Sequence, residues 1–139
     1  MEVETARSGR VLEFILSVHY NFSMLNSVNI LDERKNRFPD FEIYPAAEGL
    51  HTVIFSFFVS YLSSAFEKND QVIISKASEF INKMCASKDY TVQACIDEIV
   101  LGFYTDSEGP YEILKDTLND EAQLRFKQTT ILWDRQKLK

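Results

Sequence analysis

The chain has 139 residues, of which 45% are hydrophobic and 26% charged, with only 4 Gly and 3 Pro. This composition indicates one globular domain spanning residues 1–139, and it excludes a disordered or fibrous chain. The formal net charge of −6 disfavours binding to nucleic acid, because an acidic protein repels phosphates.

The amino-terminal segment, MEVETARSGRVLEFIL, places two glutamates before its basic residues. No secretory signal is evident in it, so we expect a cytoplasmic protein. Helical spacing of apolar residues predicts a first helix from after Ser8 to about Asn26. Residues Asn29 to Ala47 contain two prolines and a cluster of charges. We expect a loop crossing there, with a helical turn near Leu31 and a short strand at Phe41 to Tyr44.

The stretch GLHTVIFSFFVSYLSSAF, from Gly49 to Phe66, carries no formal charge if His51 is neutral. Its apolar residues recur with the spacing of an amphipathic helix, and serines and threonine occupy the opposite face. A membrane-spanning helix needs roughly 20 mostly apolar residues, so we predict a core helix and no membrane association. Phe57 and Phe58 are expected to be buried. A second apolar strip, Phe55 and Val59, indicates that the helix is sandwiched between layers or covered by a partner.

Four further segments keep helical periodicity. Asp70 and Asp89 are predicted to cap the next two helices, and TDSEGP is predicted to end the second of these. A short helix then begins with Pro110 at its first position, and the segment from Ala122 to Trp133 is predicted to be helical. The expected fold class is all-α, an antiparallel helical array of about five helices that forms either a bundle or a short HEAT-like solenoid.

The residues that could carry chemistry do not form a recognisable site. His19 and His51 lie on separate predicted helices, and no metal-ligand spacing or nucleotide-binding motif is present. Cys85 and Cys95 fall on apolar helix faces and are expected to be buried free thiols. We therefore predict no cofactor and no metal, and a protein that is not an enzyme.

Charge is distributed unevenly along the chain. Between Asp97 and Glu121 there are eight acidic residues and one base, Lys115, whereas residues 122–139 contain five bases and one acid. Two interpretations stay open: a solvated acidic surface, or a patch that steers a basic partner. Aromatic residues next to charge are typical of interfaces, and two tyrosines flank TDSEGP. The candidate partner-binding residues are Asp97, Tyr104, Asp106, Glu108, Tyr111, Glu112 and Asp116.

The segment FSFFVSYLSSAFEKNDQVIISKASEFINKMCASKDYTVQACIDEIVLGFY resembles the helical-hairpin core of small immunity proteins. These accompany bacterial polymorphic and contact-dependent growth-inhibition toxins. The resemblance lies in the order of an aromatic-rich helix, an E-K-x-D turn, an A-x-x-F-I helix and a D-x-x-V helix start. The Asp89–Val92 pair also resembles the second-helix start of a HEAT-type repeat. The pattern covers roughly Leu50 to Trp133.

That resemblance implies a non-enzymatic cytosolic inhibitor, a monomer that binds a cognate toxin domain one to one. The toxin would be basic and is often a nuclease. Other classes of function stay open from the residues alone. One is an acidic phage-type inhibitor or scaffold that mimics nucleic acid. The other is a small enzyme or ligand-binding helical bundle that uses the space around His51.

Overall fold

The computed structural model describes residues 24–43, 47, 49–106 and 108–137, and at 108 and 109 it describes the backbone alone. Within these residues the regular secondary structure is helical, with six α-helices and no strand. The all-α prediction is therefore confirmed. The helices are α1 (Ile30–Arg37), α2 (His51–Glu67), α3 (Gln71–Cys85), α4 (Tyr90–Asp106), α5 (Glu108–Asp116) and α6 (Asp120–Lys137).

The region before α2 departs most from the sequence prediction. The predicted first helix lies mainly outside the described residues, and its expected end, Met24 to Asn26, is not helical. The turn expected near Leu31 is a complete helix, α1. The predicted strand is wrong, since residues 41–43 form none and Tyr44 lies outside the described residues. The strand was predicted because apolar and polar residues alternate from Phe41. In the structure Phe41 is apolar because its ring is buried in the core, and no described strand pairs with this segment.

Both acidic caps predicted from the sequence are confirmed. Asp70 accepts a hydrogen bond from the backbone nitrogen of Ile73 at 3.2 Å, at the start of α3. Asp89 accepts from the backbone nitrogens of Thr91 and Val92, at 2.8 and 3.1 Å, at the start of α4. These side chains satisfy amide donors that have no partner within the helix, which fixes where each helix begins after its short turn.

Helices α4 and α6 lie side by side and run in the same direction. Near their starts, Arg125 donates from Nε to Oε1 of Gln93 at 2.8 Å. Near their ends, the hydroxyl of Tyr104 donates to Oδ2 of Asp134 at 2.8 Å. The start of α4 thus contacts the start of α6, and the end of α4 contacts the end of α6, so the two helices are parallel. Helix α5 connects the end of α4 to the start of α6. Helix α4 also packs against α2, α3 and α5, so it is the central helix of the described part.

The buried side of α2 is rotated from the side that the apolar stripe predicts. Phe57 is 43% exposed, so its predicted burial is wrong, whereas Phe58 is fully buried. The second strip, Phe55 and Val59, is also buried: the Phe55 ring stacks on Phe80 of α3, and Val59 lies against α4. A β-carbon built on Gly102 of α4 would lie 2.9 Å from both methyl carbons of Val59, so only a glycine permits this approach. Both apolar strips of the helix therefore contribute to the core.

An aromatic cluster joins α2, α3 and the crossing segment that follows α1. Phe38, which is fully buried, places its ring 4.9 Å from Phe58 and 5.8 Å from Phe80. Phe41 lies 5.4 Å from Phe58 and 5.3 Å from Tyr61. Edge-to-face and tilted pairs at these separations are favourable beyond the area they bury. The cluster fixes α1 and the crossing segment to the helical array.

Candidate partner-binding surface

Asp97 of α4 is engaged within the protein. Its Oδ1 atom lies 2.8 Å from Nη2 of Arg125 and accepts a hydrogen bond from the hydroxyl of Thr129 at 3.1 Å. Arg125 also donates to the hydroxyl of Thr129 and to the side chain of Gln93. The charge of Asp97, which the sequence counts in an uncompensated acidic segment, is therefore balanced by a base from α6.

The two tyrosines of the predicted site have different surroundings. Their rings meet edge to face, with centroids 5.1 Å apart. Tyr111 is only 4% exposed, and its ring stacks against Phe126 of α6. Burial raises the pKa of the Tyr111 hydroxyl. Tyr104 is half-buried and donates to Asp134. Tyr111 thus belongs to the core and has little surface to offer a partner.

The remaining predicted acids lie around the connection between α4 and α5. Asp106, Glu112 and Asp116 are exposed, and α5 begins at Glu108, whose side chain is not described. Lys115 contacts Glu112 at 3.0 Å, and this hydrogen bond raises the pKa of the lysine. An ion pair this exposed contributes little to stability. The carboxylates of Asp106, Glu112 and Asp116 are therefore accessible to solvent.

A groove that the sequence analysis did not predict runs along the outer face of α4, between α2 and α6. Two adjoining depressions of about 390 and 340 Å³ form it, and Leu101 and Trp133 line both. We call this feature the α4 groove. Leu132, which is 57% exposed, borders one end, and Gly102 lies in the floor at the other. The signals in the sequence were Gly102 in a helix interior and the only tryptophan of the chain, Trp133.

The α4 groove has an acidic lining. It contains three carboxylates, Asp97, Glu98 and Asp106, against one guanidinium, that of Arg125, which is paired with Asp97. Burial raises the pKa of Glu98, and the neighbouring carboxylate of Asp97 raises it further. Hence the charged form of Glu98 is disfavoured where it stands, and a cation brought beside it would relieve that cost.

Trp133 lines the groove, and its indole nitrogen is buried beneath the surface. Its Nε1 atom is buried and has no hydrogen-bond acceptor among the described residues. A buried indole N–H without an acceptor has lost its hydration without compensation. The ammonium of Lys137 lies 5.8 Å from the centre of the Trp133 ring.

The other candidate residues have structural surroundings. Nε2 of His51 lies 2.8 Å from the carbonyl oxygen of Ser27, which joins the start of α2 to the preceding segment. Cys85 and Cys95 are buried free thiols, as predicted, and burial raises the pKa of each to about 12. No cluster of three or more His, Cys, Asp or Glu with metal-binding geometry occurs among the described residues.

None of the helices in the described ranges is long and apolar enough to cross a membrane. No family model, no curated protein and no solved structure matches the chain. What the fold and the surface define is an all-α protein with parallel helices α4 and α6 and an acidic, partly apolar groove on its outer face.

Proposed function

We propose that this chain is an immunity protein: a cytoplasmic inhibitor that binds a basic toxin domain one to one, through the α4 groove and the exposed acids at the end of α4. The toxin that best fits such a surface is a nuclease, because a nuclease displays basic residues around its active site to attract phosphates. The observation that carries the proposal is the combination of two carboxylates, Glu98 and Asp106, which form no ion pair among the described residues, with the apolar surface of Leu101 and Trp133.

That combination suits the side chain of an arginine or a lysine. Both residues carry an apolar stem and a charged head, so the stem can lie along apolar surface while the head reaches an acid. In the α4 groove the stem would cover Leu101 and Trp133, and the head would approach Glu98. Partly desolvated tryptophans and arginines are also the residues that contribute most to binding energy at interfaces.

The exposed acids have a second effect, on the rate of association. Asp106 lines the groove, whereas Glu112 and Asp116 lie outside it, and all three are exposed to solvent. Such charges attract an oppositely charged partner before contact, which can raise association rates by roughly 10- to 1,000-fold at low salt. The pattern resemblance to immunity proteins gives the proposal its biological class, and the charge of the groove gives it a mechanism.

The charge-reversal pair Glu98→Lys and Asp106→Lys tests this mechanism. The partner used in the test is the product of the gene next to this chain's gene, which the proposal predicts to contain a toxin domain. We expect association at low salt to slow by at least about tenfold, to lose most of its salt dependence, and to leave cells unprotected when the toxin is expressed. Stopped-flow binding and growth assays provide the two measurements.

A matched control changes the net charge by the same amount elsewhere. Asp120 and Glu121 are both exposed, at the start of α6, and neither lines the α4 groove. The double variant Asp120→Lys and Glu121→Lys should retain protection and most of the association rate. If both variants protect equally, the contact lies elsewhere on the protein. Failure of the unmodified chain to bind the neighbouring gene product would contradict the immunity function itself.

A further inference from the structure

A second cavity, which shares no lining residue with the α4 groove, lies between α1, the crossing segment and the start of α2. Its volume is about 640 Å³, and we call it the Arg34 cavity. Leu31, Ile43 and Ile54 contribute apolar walls. Among the described residues, two basic ones, Arg34 and Lys35, and two acidic ones, Asp32 and Glu42, also line it, so this described part of the lining is neutral in sum.

Arg34 is unusual among the charged residues because it is only 3% exposed. Its Nη1 atom donates to the carbonyl oxygen of Phe41 at 3.0 Å, and the guanidinium lies over the Phe41 ring at 5.1 Å. Nε is buried and has no acceptor in the described part of the chain. Although Asp32 and Glu42 line the same cavity, neither forms an ion pair with Arg34. The buried cation therefore lacks an anionic partner among the described residues.

This situation is costly for a guanidinium. A buried charge is normally paired, because a single carbonyl and a ring face replace only part of its hydration. Burial accordingly lowers the pKa of Arg34. The position of Arg34 in the last turn of α1 gives some compensation from the helix dipole, but this acts on the charge and does not fill the hydrogen-bonding capacity of Nε.

The geometry of the guanidinium limits which ligands can accept its remaining hydrogen bonds. With Nη1 committed to Phe41, the free edge is the one formed by Nε and Nη2. Two parallel N–H groups on one edge match the two oxygens of a carboxylate. A singly charged carboxylate also suits a lining that is neutral in sum better than a doubly charged phosphate does.

We propose that the Arg34 cavity binds a small organic carboxylate: the guanidinium turns to bring the buried Nε to the cavity, the two oxygens accept hydrogen bonds from Nε and Nη2, and the apolar body packs against Leu31, Ile43 and Ile54. Lys35 lies at the same cavity and adds a second positive charge. This site is independent of the α4 groove, and it does not depend on the identity of the protein partner.

Calorimetric titration and thermal unfolding of the intact chain test the site, with benzoate and hexanoate as probes and benzamide as the neutral counterpart of benzoate. We expect at least one carboxylate to bind, and benzamide and inorganic phosphate at equal ionic strength to bind at least tenfold more weakly. At a carboxylate concentration ten times its dissociation constant, the folding equilibrium should shift about elevenfold toward the folded state.

Two variants locate the binding. Arg34→Lys keeps a positive charge but removes the two parallel N–H groups that would bind both carboxylate oxygens, so carboxylate affinity should fall at least tenfold. The control is Arg37→Lys on the same helix, because Arg37 pairs with Glu33 and Glu79 and does not line the cavity. It should bind like the unmodified chain. The proposal is overturned if neither carboxylate binds the unmodified chain, if benzamide or phosphate binds as tightly, or if Arg34→Lys binds with unchanged affinity.

Discussion

Phe57 and Phe58 are adjacent and chemically identical, and the fold gives them different surroundings. Phe58 is fully buried, and its ring lies within 6.2 Å of the rings of Phe38, Phe41, Phe55, Tyr61 and Phe80. Truncation to alanine would leave a cavity among five aromatic rings. Phe→Ala changes in cores cost about 3–5 kcal/mol. A typical domain has a total stability of only about 5–15 kcal/mol, so Phe58→Ala should be strongly destabilising.

Phe57 is the matched control, since 43% of it is exposed. Less apolar area is buried there, so Phe57→Ala should cost about half as much or less. For a chain of this length, each kcal/mol lowers the unfolding midpoint by about 3–5 °C, so the cost of about 3–5 kcal/mol for Phe58→Ala should lower it by about 9–25 °C. Urea titration and calorimetry measure both variants. Equal costs for the two variants, or a cost under about 1 kcal/mol for Phe58→Ala, would refute the assignment of the buried side of α2.

Three further outcomes are expected. Gly102→Ala should destabilise the fold by about 1–3 kcal/mol, despite the better helix propensity of alanine, because its β-carbon would meet Val59. In a double-mutant cycle measured by urea titration, Val59→Ala should reduce this cost. Cys85 and Cys95, whose pKa values burial raises to about 12, should resist iodoacetamide at pH 8 until the chain is unfolded. The pKa of Glu98 is raised in the folded state, so the folded state binds the carboxyl proton more tightly than the unfolded state does. The protonated side chain therefore stabilises the fold at low pH, and this contribution is lost as the pH rises past the ordinary carboxyl range. Glu98→Gln should raise the unfolding midpoint at pH 7 and leave it nearly unchanged near pH 3.5.

The sequence by itself was sufficient for features that depend on neighbouring residues. Apolar spacing along a helix and the hydrogen bonds of a capping side chain are local, so the helices from Gln71 onward and the caps Asp70 and Asp89 could be read from short windows. The free state of the two thiols was also predictable, because the spacing of Cys85 and Cys95 and their apolar faces are visible in the chain. The strand expected at residues 41–44 failed because a pattern of alternation does not supply a pairing partner.

Tertiary structure alone decided the features on which function depends. The stripe on α2 did not reveal that α4 would cover Val59 and leave Phe57 partly exposed, because that choice rests on a glycine in a different helix. The ion pair of Asp97 with Arg125 and the groove lined by Trp133 arise because α6 lies parallel to α4, and no local pattern sets that orientation. The number of charges along a chain does not give the charge of a surface, because packing decides whether each acid lies beside a base, in the core or in water.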